Sequence, residues 1–219
     1  VRALFVAGTG TDLGKTHVAC ALLGAARAQD ATVDAFKPVV SGFDPNAPEV
    51  SDPARLAAAL GRPHDWARVS PRRYRAPLAP NLAARLEGDT LAMKDLVADC
   101  RAWLASRDVG LALVEGAGGV MSPMTDDATN LDLMIALDLP VLLVAGSYLG
   151  TASHLLTALE VLRARRLTVA AIVVSESLDA PDLGQTVEML RAFERTAPIL
   201  VAARDADWDA SELLELLLG

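Results

Sequence analysis

An apolar run that breaks into glycines and then into Gly-Lys-Thr narrows the fold of this chain more than any other stretch. Residues 3–7, Ala3-Leu4-Phe5-Val6-Ala7, lead into Gly8-Thr9-Gly10-Thr11-Asp12-Leu13-Gly14-Lys15-Thr16, and a helix follows over 15–29. The loop satisfies G-x-x-x-x-G-K-[ST], and its place between a strand and a helix is the setting in which that pattern cradles phosphate. Glycines let the backbone wrap until its N–H groups converge on phosphate oxygens. The helix adds the positive end of its dipole to the same anion. Lys15 is then expected to reach the β- and γ-phosphates, and the Thr16 hydroxyl to bind Mg²⁺. Asp12, Leu13, Gly14 and His17 complete the expected ATP contacts around them. At ordinary glycine usage, chance matches arise in fewer than about one in a hundred chains of this size.

The rest of the chain alternates apolar strands with helices. Strands are predicted over 33–36, 109–114, 141–145, 168–174 and 199–201. Helices are predicted over 53–60, 91–107, 128–137, 152–166, 183–195 and 210–218. Ser51 or Asp52 serves as the N-cap of the first of these, with Pro53 in its first turn. Residues 62–81 carry four prolines and read as irregular connection. Continuous apolar strands separated by helices mean a mostly parallel sheet covered on both faces, a doubly wound α/β fold with right-handed crossovers. No repeat or linker interrupts the pattern, so one catalytic domain over 1–219 is expected.

Charge and cysteine usage exclude several roles. A net charge of −8 argues against a broad nucleic-acid interface, which needs a basic face. No apolar run reaches the ~18 to 20 residues that cross a bilayer, and no leader pattern opens the sequence, so a cytoplasmic location is expected. Cys20 and Cys100 are isolated and carry no metal or disulfide spacing. Lysine is scarce: Lys15, Lys37 and Lys94 stand against 17 arginines. It should persist where a compact ammonium fits and a wide guanidinium does not, and two of the three lie in motif-like loops.

Lys37 ends the second strand in Phe36-Lys37-Pro38-Val39-Val40-Ser41-Gly42. Ligands of open α/β sheets bind at the carboxyl ends of the strands, so Lys37 should face the phosphate loop as a second cation for the transferring phosphoryl group. Glu115 ends another strand, before Gly116-Ala117-Gly118-Gly119, where a phosphate-loop enzyme keeps its metal-binding acid. Asp52 serves either as a helix cap or as a further metal ligand. His64 reads as a surface residue. His154 lies near a helix start that is suited to an anion.

With these residues assembled, the chain resembles the dethiobiotin synthetase family over nearly its whole length. Phe5 to Thr16, Lys37-Pro38-Val39-Val40-Ser41-Gly42 and Val114-Glu115-Gly116-Ala117-Gly118-Gly119 carry the resemblance, with Pro80 to Gly88, Ser122-Pro123 and Leu149 to His154 beside them. The resemblance implies ATP-dependent carboxylation of 7,8-diaminononanoate with CO₂ or bicarbonate, through a carbamate and a carbamic–phosphoric anhydride, to the ureido ring of dethiobiotin. It implies Mg²⁺ held by Thr16, Asp52 and Glu115, with Lys37, Lys15 and Thr11 catalytic. Gly116, Ala117, Gly118, Ser175 and Arg204 would join the ATP contacts. Thr11, Asp12, Lys37 and Ser41 would meet the substrate, and Leu149, Gly150, Thr151 and Ser153 would meet its carboxylate from the other subunit of a homodimer.

The chain departs from the family pattern at identifiable places. The family often has Asp where Gly10 stands and Glu where Asp12 stands. A basic residue is usual at the place of Tyr148, and Asn at that of Ser153. Ser175-Glu176 replaces the Asn that reads adenine, and Val201 to Arg204 replaces a Gly-x-Ile-Pro run, so a relaxed nucleotide preference is expected. Three other readings compete, of which a degenerate nucleotide-binding module is disfavoured because both cations and the acid remain. An amide-forming synthetase would need a glutaminase domain for which the chain has no room. A partner-regulated ATPase switch of the ParA/MinD kind would carry an extra lysine early in the phosphate loop, where Thr9 and Gly10 stand.

Overall fold

The computed structural model describes residues 2–204 and 208–218, with the side chain of Leu218 left aside. Eight strands and nine α-helices follow one another along these residues. β1 (Arg2–Gly8) enters the phosphate loop and α1 (Lys15–Ala28), and β2 (Val33–Phe36) ends just before Lys37. After β3 (Val39–Ser41) come a 3₁₀ turn (Pro48–Val50), α2 (Asp52–Ala59), α3 (Trp66–Val69), β4 (Arg72–Tyr74) and α4 (Pro80–Leu86). The second half runs α5 (Met93–Ala105), β5 (Leu111–Glu115), α6 (Asn130–Leu137), β6 (Val141–Gly146), α7 (Thr151–Ala164), β7 (Val169–Ser175), α8 (Leu183–Phe193), β8 (Ile199–Ala202) and α9 (Ser211–Leu218).

Six strands form one parallel sheet in the order β2-β5-β1-β6-β7-β8. This is the doubly wound arrangement expected from the alternating pattern. Both faces are buried, so the central strands carry apolar residues at every position but the terminal Glu115 of β5: β5 and β6 are buried throughout. Odd and even residues feed different cores. Leu4 and Val6 pack with Val18, Leu22 and Leu23 of α1 on one face. Phe5 and Val114 pack with Leu131, Met134 and Leu159 on the other. Each such side chain, taken out of water, contributes about 1.5–3 kcal/mol.

Register puts the chemistry on one rim. Val6 pairs with Glu115, Gly8 with Val144, and Gly146 with Ser175. The carboxyl ends of β1, β5, β6 and β7 therefore emerge side by side. β1 lies between strands reached by opposite turns of the chain, the switch point where open sheets leave a crevice.

Residues 62–81 are more ordered than their prolines imply. They hold α3, β4 and the start of α4, and β4 pairs in parallel with β3 as a separate two-stranded sheet. These strands are too short to show periodicity, and Arg72-Arg73-Tyr74 has no apolar signature. Long-range packing decides them: the Arg73 guanidinium lies over the rings of Phe43 and Trp66, at 5.6 and 5.1 Å.

Among the described residues no helix is long and apolar enough to cross a membrane. Both cysteines are free, Cys100 buried and Cys20 partly so, and burial pushes each thiol up to about 12. Neither is a reactive thiolate.

Candidate active site

Glycine geometry shapes the phosphate loop. Gly14, the residue before α1, has φ 87°, and a Cβ there would stand 2.7 Å from the Ser175 hydroxyl. A Cβ on Gly8 would stand 2.9 Å from the Gly10 carbonyl and 3.0 Å from the Lys15 side chain. Only glycine accommodates both the turn and the close approach. Lys15 is buried and its ammonium donates to the Gly10 carbonyl at 2.9 Å, folded back across its own loop.

Lys37 sits at the centre of the site, 3% exposed. Its ammonium contacts Glu115 Oε1 at 2.5 Å and Asp52 Oδ2 at 2.9 Å. The Thr16 hydroxyl donates to the same Glu115 oxygen at 2.7 Å. Residues from α1, β2, α2 and β5 thus converge on one point. Burial would push the Lys37 ammonium down, but the two carboxylates outweigh it and hold its pKa above the ordinary lysine value. Burial acts to raise the Asp52 pKa, yet its contact with Lys37 keeps it low. Asp52 is free for this role because Ser51, not Asp52, is the N-cap of α2: the Ser51 hydroxyl accepts from the Ala54 N–H.

Lys15 behaves differently. Burial, then the charge of Lys37, lowers its pKa to about 8, with Glu115, Asp52 and Asp12 offsetting only part of the loss. A bound triphosphate favours the ammonium and raises the pKa again. Binding above pH 8 therefore takes up a proton, and nucleotide affinity should fall as pH rises through about 8. Titration calorimetry with MgADP at pH 7 and pH 9 in two buffers of different ionisation heat checks both the loss and the proton uptake. The same shift affects folding in the opposite sense. Between about 8 and 10.5 the unfolded chain holds more protons, so this group's contribution to stability rises with pH.

Above these groups opens a cavity of about 620 Å³. Thr11, Asp12, Leu13, Gly14, Lys15, Thr16, His17, Lys37, Ser41, Asp52, Ala117, Gly118, Ser175 and Arg204 all stand on its wall. Gly116 does not: a Cβ there would meet the Asn130 side chain at 2.7 Å and the Phe5 ring at 2.9 Å, so its smallness serves packing behind the wall. Leu149, Gly150, Thr151 and Ser153 lie outside the cavity, at the end of β6 and the start of α7. Thr151 is buried with its hydroxyl donating to the Gly146 carbonyl at 2.6 Å, whereas Leu149 is 89% exposed. Beside them the Tyr148 hydroxyl meets His154 Nδ1 at 2.6 Å. His64 is exposed, as its sequence context implies.

Some wall residues had no strong sequence signal. Arg55 lies three residues beyond Asp52 on α2, hence on the same helical face. With burial, its charge and that of Arg204 depress the His17 pKa. Glu176, Ser177, Leu178 and Ala203 close the end beyond Ser175, where the Glu176 carboxylate accepts from the Arg204 N–H at 2.9 Å.

The oxygen donors present fit a hard divalent cation. Glu115 Oε2 is buried without a hydrogen-bond partner, beside the Thr16 hydroxyl and Asp52. Among the described residues no group of three or more His, Cys, Asp or Glu forms a complete cage. Few protein ligands, completed by phosphate and water, are what Mg²⁺ takes in phosphoryl-transfer sites.

A phosphate loop at the switch point of a parallel sheet, with a buried lysine and two carboxylates at its mouth, defines a P-loop nucleotide-binding protein. Known proteins place it more narrowly. The family described as an AAA domain matches residues 2–203. An ATP-dependent dethiobiotin synthetase BioD from Caulobacter vibrioides is 78% identical over 219 residues, with both chains fully covered. That of Phenylobacterium zucineum is 56% identical, covering 97% of this chain and 94% of its own. Among solved structures, a nucleotide-binding protein in complex with ADP from Archaeoglobus fulgidus shares the fold at TM-score 0.50 and 17% identity, covering 99% of this chain and 85% of that one. The chain belongs to the family of ATP-dependent dethiobiotin synthetases, ATP-dependent ligases of biotin biosynthesis.

Proposed function

We propose that the chain closes 7,8-diaminononanoate onto CO₂ through a phosphorylated carbamate, at the expense of ATP. The observation that carries this reading is the convergence of Lys37, Glu115, Asp52 and Thr16 at the mouth of the phosphate loop. One amine of the substrate adds CO₂ and becomes a carbamate. A carbamate oxygen then attacks the γ-phosphorus, the bond to the β-phosphate bridge breaks, and ADP leaves. The second amine attacks the carbamoyl carbon, the C–O bond to phosphate breaks, and phosphate leaves as the five-membered ring closes.

Each demand of that sequence meets residues of this chain. The carbamate and the γ-phosphate are both anions, so their approach needs fixed positive charge. Lys15 and Lys37 supply it, and the two carboxylates around Lys37 keep it protonated at neutral pH. Thr16, Asp52 and Glu115 would hold Mg²⁺, which supplies charge neutralisation at the phosphate oxygens. Thr11, Asp12 and Ser41, on the cavity wall, would border the diamine and its carbamate. Holding the second amine beside the anhydride makes ring closure intramolecular.

The region Leu149–Ser153 would meet the substrate carboxylate from the other subunit of a homodimer. Its separation from this chain's own cavity supports that assignment. So does the exposure of Leu149, an apolar side chain within it that association would cover.

The test combines protein, MgATP, bicarbonate and the diamine, with phosphate release and product mass as readouts. The proposal expects phosphate only when the diamine is present, with one ring product per phosphate. Phosphate release that ignores the diamine would instead mark a switch-type ATPase.

A further inference from the structure

Asn130, the first residue of α6, is fully buried behind the loop that follows Glu115. A reciprocal cap fixes its place. The Asp132 N–H donates to the Thr129 carbonyl at 3.1 Å, and Asp132 Oδ2 accepts from the Thr129 N–H at 2.7 Å and from its hydroxyl at 2.8 Å. The Asn130 N–H donates to the Ser122 carbonyl at 2.9 Å. From this anchored position the side-chain Nδ2 donates to two carbonyls of the loop, Ala117 at 2.9 Å and Gly119 at 3.2 Å. Two carbonyls can be met only by a donor, which fixes the amide's orientation. Oδ1 has no partner among the described residues.

The rest of the loop is built around this contact. Gly116 leaves room for Asn130, as described above. A Cβ on Gly119 would stand 3.1 Å from the Thr9 carbonyl, so the loop lies directly on the phosphate-loop backbone. The Ser122 hydroxyl accepts from the Gly119 N–H at 2.7 Å.

Among the described residues neither the Ala117 nor the Gly118 N–H has a partner within the protein, and both residues stand on the cavity wall. None of the peptides is cis. A trans peptide points its C=O and N–H to opposite sides, so turning the Ala117 carbonyl to Asn130 directs the Gly118 N–H away from it. Donation into that carbonyl also polarises the peptide and strengthens its N–H as a donor.

We propose that Asn130 is a positioning residue that presets the Gly118 N–H as a donor for the oxyanion formed as the terminal phosphoryl group transfers. The proposal rests on the reading of this cavity as the triphosphate-handling site. Donors already in place need no reorganisation when charge develops, so their effect falls on the transition state rather than on ground-state binding.

Asn130→Leu keeps most of the volume and removes the donor. Two probes, MgADP alone and MgADP with aluminium fluoride, report ground-state and transition-state-like affinity without the diamine. MgADP affinity should stay near wild type, while affinity for the aluminium fluoride complex falls by about 10- to 100-fold. In turnover assays kcat should fall by a similar factor with the KM for ATP little changed. Should the leucine variant fail to fold, Asn130→Ala carries the same expectation. A lower unfolding midpoint with a wild-type ratio between the two affinities would make Asn130 merely structural and overturn the proposal. Failure of the broader reading shows separately, as wild-type phosphate release without diamine.

Discussion

Lys37→Ala is expected to lower turnover by about 10³- to 10⁴-fold while nucleotide binding persists. Cations aimed at a transferring phosphoryl group have effects of this size, and Lys15 still holds the phosphate loop in the variant. The variant has a second signature. Lys37 is the cation between Glu115 and Asp52, and without it two carboxylates face each other uncompensated. At neutral pH the uncompensated pair should then bind Mg²⁺ more tightly in the absence of nucleotide. Removing one member of a buried ion pair also costs about 3–5 kcal/mol of stability, so the assay belongs well below the variant's unfolding midpoint. Steady-state turnover, with MgADP affinity measured in parallel, checks the prediction. Turnover within tenfold of wild type would remove Lys37 from the chemistry.

Glu115→Gln is expected to raise the Mg²⁺ concentration for half-maximal activity by at least about tenfold, since even supporting residues of metal sites carry effects of this order. The substitution preserves shape, so the strand end and the Gly116–Gly119 turn should stay in place. The unpartnered Oε2 becomes a neutral amide atom, and Lys37 keeps Asp52 as its one carboxylate partner. Its pKa should therefore fall toward the ordinary lysine value, because burial continues to disfavour its charge. A Mg²⁺ titration of turnover at fixed ATP tests the metal role. A curve superimposable on the wild type would contradict it.

These residues differ in how openly the sequence displays them. The phosphate loop is legible because its chemistry is contiguous: glycines, lysine and threonine act on one ligand from neighbouring positions. Lys37 and Glu115 are legible for a topological reason, since each ends an apolar run and strand ends share a rim in parallel sheets. Asp52 is only half legible, because a carboxylate at a helix start has a sufficient local explanation as a cap. The structure separates the two roles by giving the cap to Ser51.

What stays hidden depends on contacts across long sequence separations. Asn130 reads as one polar residue at a helix start, and its partners lie 11 and 13 positions away. Gly116 carries the signal of a ligand loop, yet the bulk it avoids belongs to Asn130 and Phe5. The β3–β4 pair lacks periodicity because each strand has only three residues. Its aromatic and arginine neighbours, Phe43, Trp66 and Arg73, gather only once the chain has folded.

The claim that matters most is that an oxygen from CO₂ becomes the bridge to phosphorus. A turnover experiment with MgATP, the diamine and ¹⁸O-labelled bicarbonate, followed by mass analysis of the released phosphate, tests it directly. One labelled oxygen is expected in each phosphate, since the carbamate oxygen that attacks the γ-phosphorus leaves with it when the ring closes. Ring product accompanied by unlabelled phosphate would show that ATP is spent without activating the carbamate, and would contradict the account.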